Sequence, residues 1–267
     1  MTPILARRAG AVTLIAATAA ALAGCGGGIG ARLTYDDIEK GKVSEIVLTG
    51  GSGDVTVTRA AGTETQIKRI VRTDGSEDPQ ASYRLSGSVL TLDTSCGSRC
   101  QVSYEIQAPA GVSVSGKLGS GTLTLSDIAG AEVTVGSGDA AIDRASGTVS
   151  LKSGSGDIMV NDLRGETTLV TGSGNVEAHG LAGGKAVRAQ TGSGDVALEL
   201  TEVASVTARA GSGDVELQVP DGAYQIKTRN GSGDAEVIGI SDDPKAKNVI
   251  DVQTGSGDAR ITAVPGS

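Results

Sequence analysis

The sequence predicts an all-β fold, a β-solenoid made of stacked two-strand coils with Gly-Ser-Gly-Asp corners. A Gly-Ser-Gly motif recurs along the chain, apolar residues alternate on both of its flanks, and aromatic residues are nearly absent. Among 267 residues there are 41 glycines, four tyrosines and no tryptophan or phenylalanine. A thin core of small and β-branched side chains accounts for this composition, because large rings do not fit between closely packed sheets.

The repeat has a short and regular period. From Gly119 onward the first glycines of successive motifs are separated by 17, 18, 18, 20, 19, 20 and 24 residues. Fixed spacing of this length is typical of repeat architectures. Gly-Ser-Gly followed by a polar residue begins at Gly51, Gly119, Gly136, Gly154, Gly172, Gly192, Gly211, Gly231 and Gly255.

The apolar positions keep the same frame. Val149 and Leu151 lie five and three residues before Gly154, and Ile158 and Val160 follow the motif. Alternation with period two indicates strands with one buried face. A pair of such strands cannot bury that face alone, so neighbouring repeats are expected to stack and share one core. A second corner lies within each repeat, where an apolar residue such as Leu163 tucks under the turn.

Two parts of the chain after residue 42 differ in regularity. Residues 119–267 form the regular repeat, and residues 43–118 are predicted as an irregular N-terminal β region with a hairpin that starts the same solenoid. A separate small β-domain is the alternative. The last repeat ends at Ala259 to Val264 without an evident cap, which predicts an open strand edge there.

The N-terminus predicts export and lipid attachment. Residues 1–24 have a basic start, an Ala-rich run and small residues, the arrangement of a signal peptide. The run is too short for a membrane span. Leu22-Ala-Gly-Cys25 resembles the bacterial lipobox, which makes Cys25 the lipid attachment site and residues 25–42 a lipidated cysteine with a flexible tether. The expected location is extracytoplasmic, at the cell membrane, whereas an ordinary cleaved signal is the alternative. The Arg7–Arg8 pair leaves Sec and twin-arginine export open.

Charge and composition argue against a nucleic-acid partner. The chain carries a net charge of −8, and removal of residues 1–24 takes away two arginines and no acid, which gives −10. An acidic surface repels phosphate backbones, and the aromatic platforms used for base stacking are missing.

The two other cysteines predict a disulfide. Cys96 and Cys100 flank a Gly-Ser-Arg turn between strand-like runs, and an exported chain enters an oxidising compartment. Two free thiols are the alternative. A closed zinc site uses four nitrogen or sulfur ligands, and the single histidine, His179, lies in a distant repeat, where we expect an exposed turn residue.

Acidic residues at the corners form a predicted ladder. They occupy equivalent positions, so stacking aligns them along one edge. We expect each side chain to accept hydrogen bonds from nearby backbone N–H groups in its turn; a calcium- or cation-binding ladder is the alternative, although the known calcium solenoid repeat has a different spacing. The ladder comprises Asp139, Asp157, Asp195, Asp214, Asp234 and Asp258.

Several motifs together resemble a known family. Gly51-Ser-Gly-Asp-Val-Thr-Val57, Ala108-Pro-Ala-Gly-Val-Ser-Val114 and the serial Gly-Ser-Gly-Asp repeats are similar to the bacterial putative-adhesin family of β-strand-repeat proteins, a domain of unknown function, over roughly residues 43–263. The resemblance implies a β-solenoid on exported or membrane-tethered proteins, with no known catalysis.

The sequence therefore predicts a non-enzymatic protein without a cofactor. The serines have no histidine partner for a nucleophile, and the uniform ladder lacks the differentiated carboxylate pair of a glycosidase. We expect an adhesin-like or scaffold module that meets a protein or glycan at the cell envelope. A cation-binding solenoid and an edge-to-edge assembly element are the alternatives.

Overall fold

A computed structural model describes residues 31–74, 82–97 and 99–264 of the chain. Its regular elements are strands in two sheets. None of the described segments forms a helix of the length and apolarity that a membrane crossing requires. Sheet A contains β1 (Ala31–Glu39), β3 (Val55–Arg59), β4 (Thr65–Thr73), β7 (Cys100–Ala108), β9 (Leu123–Ile128), β11 (Ala140–Ala145), β13 (Ile158–Leu163), β15 (Val176–Leu181), β17 (Val196–Leu200), β19 (Val215–Pro220), β21 (Ala235–Ile238) and β23 (Ala259–Val264). Sheet B contains β2 (Glu45–Gly51), β5 (Tyr83–Ser86), β6 (Val89–Thr94), β8 (Ser113–Ser120), β10 (Gly130–Ser137), β12 (Val149–Ser155), β14 (Thr167–Ser173), β16 (Val187–Ser193), β18 (Val206–Ser212), β20 (Tyr224–Ser232) and β22 (Asn248–Ser256).

Each repeat is one coil of a solenoid. A strand of sheet B leads through the Gly-Ser-Gly corner into a strand of sheet A, and the second corner returns the chain to sheet B. Neighbouring coils pair in parallel and in register, as Val133 does with Leu151 and Ile142 with Val160. The prediction of a β-solenoid with two-strand coils is confirmed. In the described part of the chain each sheet has ten parallel strands, which at ~4.8 Å per strand gives a rod of about 43 Å.

The order of coils in space differs from their order in sequence at both ends. The first coil, β2 and β3, lies between the coil of β6 and β7 and the coil of β8 and β9. Likewise, the last coil, β22 and β23, lies between the coil of β18 and β19 and the coil of β20 and β21. The prediction that Ala259–Val264 forms the open edge is wrong, because β23 has a partner on both sides. The coils share one cross-section, so local sequence does not determine their order.

The core lies between the two sheets and extends through every coil. Residues on the predicted inward positions are buried, including Leu163 at the second corner. The exceptions belong to the outermost coil, where Thr228 and Ala235 are exposed and Val237 is 40% exposed. This coil acts as a polar end layer, as terminal repeats of solenoids do. Two tyrosines, Tyr104 and Tyr224, are fully buried, so the expectation that rings do not fit the core fails near the ends of the stack.

Antiparallel strands cover the other end of the rod. Strand β4 pairs with β7, β1 pairs with β4, and β5 pairs with β6. The prediction of a flexible tether through residue 42 is wrong from Ala31 onward, because Leu33 and Tyr35 on β1 pack against the core. The strands of residues 43–118 join the same two sheets as the regular repeats, which contradicts the alternative of a separate small β-domain.

Candidate functional site

The corner aspartates form a hydrogen-bonded ladder along one edge of the rod. The Oδ1 atom of Asp139 accepts from the backbone N–H of Asp157 at 2.9 Å, and Asp157 Oδ1 accepts from the N–H of Asn175 at 2.7 Å. The ladder continues with Asp195 N to Asn175 Oδ1 at 2.9 Å, Asp214 N to Asp195 Oδ1 at 2.8 Å, Asp258 N to Asp214 Oδ1 at 2.8 Å and Asp234 N to Asp258 Oδ1 at 2.9 Å.

The partner of each aspartate differs from the expected one. The donor is the N–H of the equivalent residue in the next coil, not a group in the same turn, so the ladder links coils to each other. Asn175 can replace an aspartate in the ladder because its amide oxygen accepts the same kind of hydrogen bond. The position therefore needs an acceptor rather than a charge. Among the described residues, no three His, Cys, Asp or Glu side chains are grouped so as to hold a metal ion.

A second ladder, made of hydroxyl groups, runs just inside the same corner. The side chains of Thr171, Thr191 and Thr254 are buried and donate to the carbonyl of the last motif glycine in the preceding coil, at 3.0, 2.8 and 2.8 Å. These part-buried bonds tie each coil to its neighbour. Sequence reasoning missed this ladder, although threonine directly before Gly-Ser-Gly at these three stations is a visible signal.

The second corner holds non-glycine residues in a left-handed backbone conformation. Asp127, Arg144 and Asp162 have φ values of 55°, 62° and 54°, and Gly180 occupies the same station in the next coil with 66°. L-residues rarely adopt this region. The turn brings the following residue inward, so that Ile128 and its equivalents are buried. The strained turn thus places the last apolar residue of each of these coils in the core.

A shallow groove of about 440 Å³ lies along this corner. Arg144 donates to both carboxylate oxygens of Asp127, at 2.8 and 2.9 Å, and forms an ion pair with Asp143. The hydrogen bond with Asp127 raises the pKa of the Arg144 guanidinium, and the same bond lowers the pKa of the Asp127 carboxyl. Arg59 and Arg164 also line the groove. Of the charges that line it, Arg144 and Asp127 pair with each other.

The outer face of sheet B is basic although the chain is acidic. We define the basic face as the outward positions of β8, β10, β12, β14, β16, β18, β22 and β20, which alternate with buried residues. Six of its side chains are basic and two are acidic. They are Lys117, Lys152, Arg188, Arg209, Lys227 and Arg229, with Glu132 and Asp251.

The outer face of sheet A carries the opposite charge. Five acidic side chains and one basic side chain occupy the outward positions of its strands from β9 to β21, and the aspartate ladder borders it. His179, expected in a turn, lies on β15 with Nδ1 3.1 Å from Glu199 Oε2. The rod is therefore charged with opposite sign on its two faces. The sheet A residues are Asp143, Glu177, Glu199, Glu216, Glu236 and Arg260.

The predicted covalent sites fall in different parts of the chain. Cys96 and Cys100 form a disulfide with a Cα–Cα distance of 5.3 Å, next to the start of β7. Cys25, the predicted lipid attachment site, lies outside the described residues, as does the predicted signal peptide of residues 1–24.

The fold and its regular ladders define an all-β solenoid repeat protein with two flat, charged faces. The chain belongs to the Toastrack DUF4097 family, whose model matches residues 33–263. Membership supports the predicted relation to an adhesin-like family of unknown function. No curated protein matches the chain.

The chain is also similar to solved structures of bacterial proteins. A putative adhesin from Parabacteroides distasonis is 11% identical and aligns over 87% of this chain and 98% of its own, with a TM-score of 0.47. A putative adhesin from Bacteroides fragilis is 16% identical over 86% and 97%, with a TM-score of 0.44. A putative cell adhesion protein from Clostridium sporogenes is 15% identical over 86% and 100%, with a TM-score of 0.32.

Proposed function

We propose that the protein is a non-enzymatic, adhesin-like binding module that is lipid-anchored at Cys25 and presents a rigid rod at the cell envelope. The observation that carries the proposal is the regular stack. Ten coils share one core, so their outward side chains stand in fixed rows on two flat faces. A surface of this kind suits contact with an extended partner better than it suits a reaction, which needs a few groups converging on one point.

The ladder geometry favours this function over a cation-binding solenoid. Five of the six ladder aspartates already accept a backbone N–H through one carboxylate oxygen: Asp139, Asp157, Asp195, Asp214 and Asp258. A calcium site needs six to eight oxygen ligands. The polar outermost coil likewise weakens the edge-to-edge assembly hypothesis, because Lys227, Arg229 and Glu236 put charges on the exposed edge strands. Charged edge strands disfavour pairing with another chain.

Lipid attachment and location are tested in cells that express the full-length chain. A clickable fatty acid is fed to the cells, and incorporation into the protein is compared between wild type and Cys25→Ser. We expect label and membrane fractionation in the wild type, loss of both in Cys25→Ser, and digestion of the rod by protease added to spheroplasts. Equal labelling of the two proteins, or a rod that protease reaches only after lysis, would contradict the proposal.

A further inference from the structure

The basic face has a regular spacing of cations. Lys117 lies on β8, Lys152 on β12 and Arg188 on β16, which places one cation on every second strand. With strands ~4.8 Å apart, the interval is about 10 Å along the rod. The strands between them carry Glu132 and Thr134 on β10, and Thr168 and Val170 on β14, at outward positions. Lys117 and Lys152 are in register with each other through Thr134, whereas Arg188 is in register with Thr168, two residues (about 7 Å) nearer the start of the strands. The three cations therefore form a staggered row along the rod axis.

The charges in this row are available to a ligand. Lys117, Lys152 and Arg188 are exposed, and among the described residues none of the three takes part in an ion pair. Farther along the face, Arg209 and Arg229 share Asp251, at 3.5 and 2.6 Å. One carboxylate therefore offsets two guanidinium groups, and Lys227 lies beside them on β20.

The acidic remainder of the protein does not cancel this face. The sheets pack about 10 Å apart, and outward side chains on both sides increase the distance between opposite charges further. At physiological ionic strength the Debye length is about 8 Å. A ligand on sheet B is therefore screened from the carboxylates on sheet A and responds to the local positive charge.

The chemistry of the face identifies the class of ligand. Its outward positions carry no aromatic side chain, so it lacks the rings that commonly stack on neutral sugars. Cations with hydroxyl groups between them instead provide ion pairs and hydrogen bonds to a ligand with evenly spaced anions. A linear acidic polysaccharide with one carboxylate for every two sugar units has charges at an interval of this order.

We infer that the basic face binds a linear acidic polysaccharide, which lies along the rod axis with its carboxylates against Lys117, Lys152 and Arg188. The inference rests on the proposed function and names its ligand class. Because the contacts are ionic and exposed, binding weakens as salt is added.

The test measures binding of the purified full-length protein to immobilised hyaluronate at several salt concentrations. Neutral dextran, inorganic polyphosphate and vesicles of phosphatidylglycerol and phosphatidylcholine serve as comparison probes. The face variant is Lys117→Gln, Lys152→Gln, Arg188→Gln. Its matched control is Lys42→Gln, Lys245→Gln, Lys247→Gln, which removes the same charge at exposed positions outside the strands.

We expect salt-sensitive binding to hyaluronate, none to dextran, and a Kd raised about eightfold in the face variant, because each exposed ion pair is worth about a factor of two. The control variant should bind as the wild type does. Equal weakening in both variants, no binding to hyaluronate, or face-dependent binding only to polyphosphate or vesicles would overturn the inference. Cys25 labelling is measured separately, so failure here is distinguishable from failure of the proposed function.

Discussion

The backbone N–H of Asp258 donates to Oδ1 of Asp214 at 2.8 Å, across 44 residues of sequence. The intervening coil, β20 and β21, lies on the far side of Asp258, where the N–H of Asp234 donates to the Asp258 carboxylate. The C-terminal coil is thus held from both sides. This topology places the coil of β22 and β23 inside the stack and gives the exposed position to the coil of β20 and β21.

Engineered cysteine pairs test this order of coils. Gln253 is in register with Arg209 on one side and Arg229 on the other. In a Cys25→Ser background, Arg209→Cys with Gln253→Cys should form a disulfide on mild oxidation. Arg209→Cys with Arg229→Cys should not, because these two positions are two strand spacings of ~4.8 Å apart. That distance exceeds the Cα separation of about 7 Å that a disulfide tolerates. Thr134→Cys with Lys152→Cys, an in-register pair, is the positive control. Coils stacked in sequence order would reverse the first two results.

Substitutions at Asp157 separate a structural ladder from a cation site. Asp157→Asn keeps an oxygen for the Asn175 N–H and should change the free energy of unfolding by less than about 0.5 kcal/mol. Asp157→Ala removes the acceptor and should cost about 1 kcal/mol.

Thermal unfolding of the wild type should give the same Tm in the presence of calcium and in the presence of a chelator. A calcium-dependent rise in Tm that disappears in Asp195→Asn with Asp214→Asn would show that the ladder binds the ion.

The corner glycines should tolerate no side chain. At Gly156, φ is 133° and an added Cβ would lie 2.2 Å from the carbonyl oxygen of Gly138. Gly156→Ala should therefore destabilise the fold by at least about 3 kcal/mol, from the backbone conformation and the overlap together. Gly62→Ala is the control, since nothing lies within 4 Å of that position, and it should leave urea unfolding nearly unchanged. Similar midpoints for both variants would contradict this account of the corner.

Buried tyrosines should make the fold sensitive to alkaline pH. Burial raises the pKa of Tyr104 and that of Tyr224 to about 12 each, above the usual value near 10. The folded protein favours the neutral form of each tyrosine. The contribution of each tyrosine to the free energy of unfolding is therefore complete below about pH 10 and is lost as the pH rises from about 10 towards 12. The loss is at most ~1.4 kcal/mol per pH unit for each tyrosine. Urea unfolding between pH 8 and 11 measures it.

Tyr104→Phe provides the comparison for that measurement. The variant lacks the hydroxyl that donates to the Ser82 carbonyl at 2.8 Å, so its stability at pH 8 should be lower. Its stability should nevertheless fall less steeply with pH, because one titrating group is gone. A slope identical to that of the wild type would show that Tyr104 does not carry the effect.

Much of the coil was predictable from sequence because its determinants are local. Val149, Leu151, Ile158 and Val160 alternate around Gly154, and all four are buried as predicted. The sequence also contains a signal for β1, the alternation of Leu33 and Tyr35, but the acidic residues around it and the glycines before it obscured this pattern. The family resemblance agrees with the match over residues 33–263.

The features that were missed depend on which coil lies next to which. Asp214 can accept from Asp258 only because the coil of β22 and β23 lies next to the coil of β18 and β19. Equivalent repeats give no local signal for that order. The basic face was missed for the same reason. Lys117, Lys152 and Arg188 are far apart in sequence, within a net acidic chain. They become neighbours on one face only when strand register and sheet assignment are known.

Binding to isolated cell-envelope fragments tests most directly whether function lies on the sheet face and not in the aspartate ladder. Three proteins are compared by cosedimentation at low salt: wild type, the Lys117→Gln, Lys152→Gln, Arg188→Gln variant, and Asp195→Asn with Asp214→Asn. This account predicts that wild type and the ladder variant sediment equally with the fragments, and that the face variant remains largely in solution. Loss of binding in the ladder variant, with the face variant still bound, would contradict it.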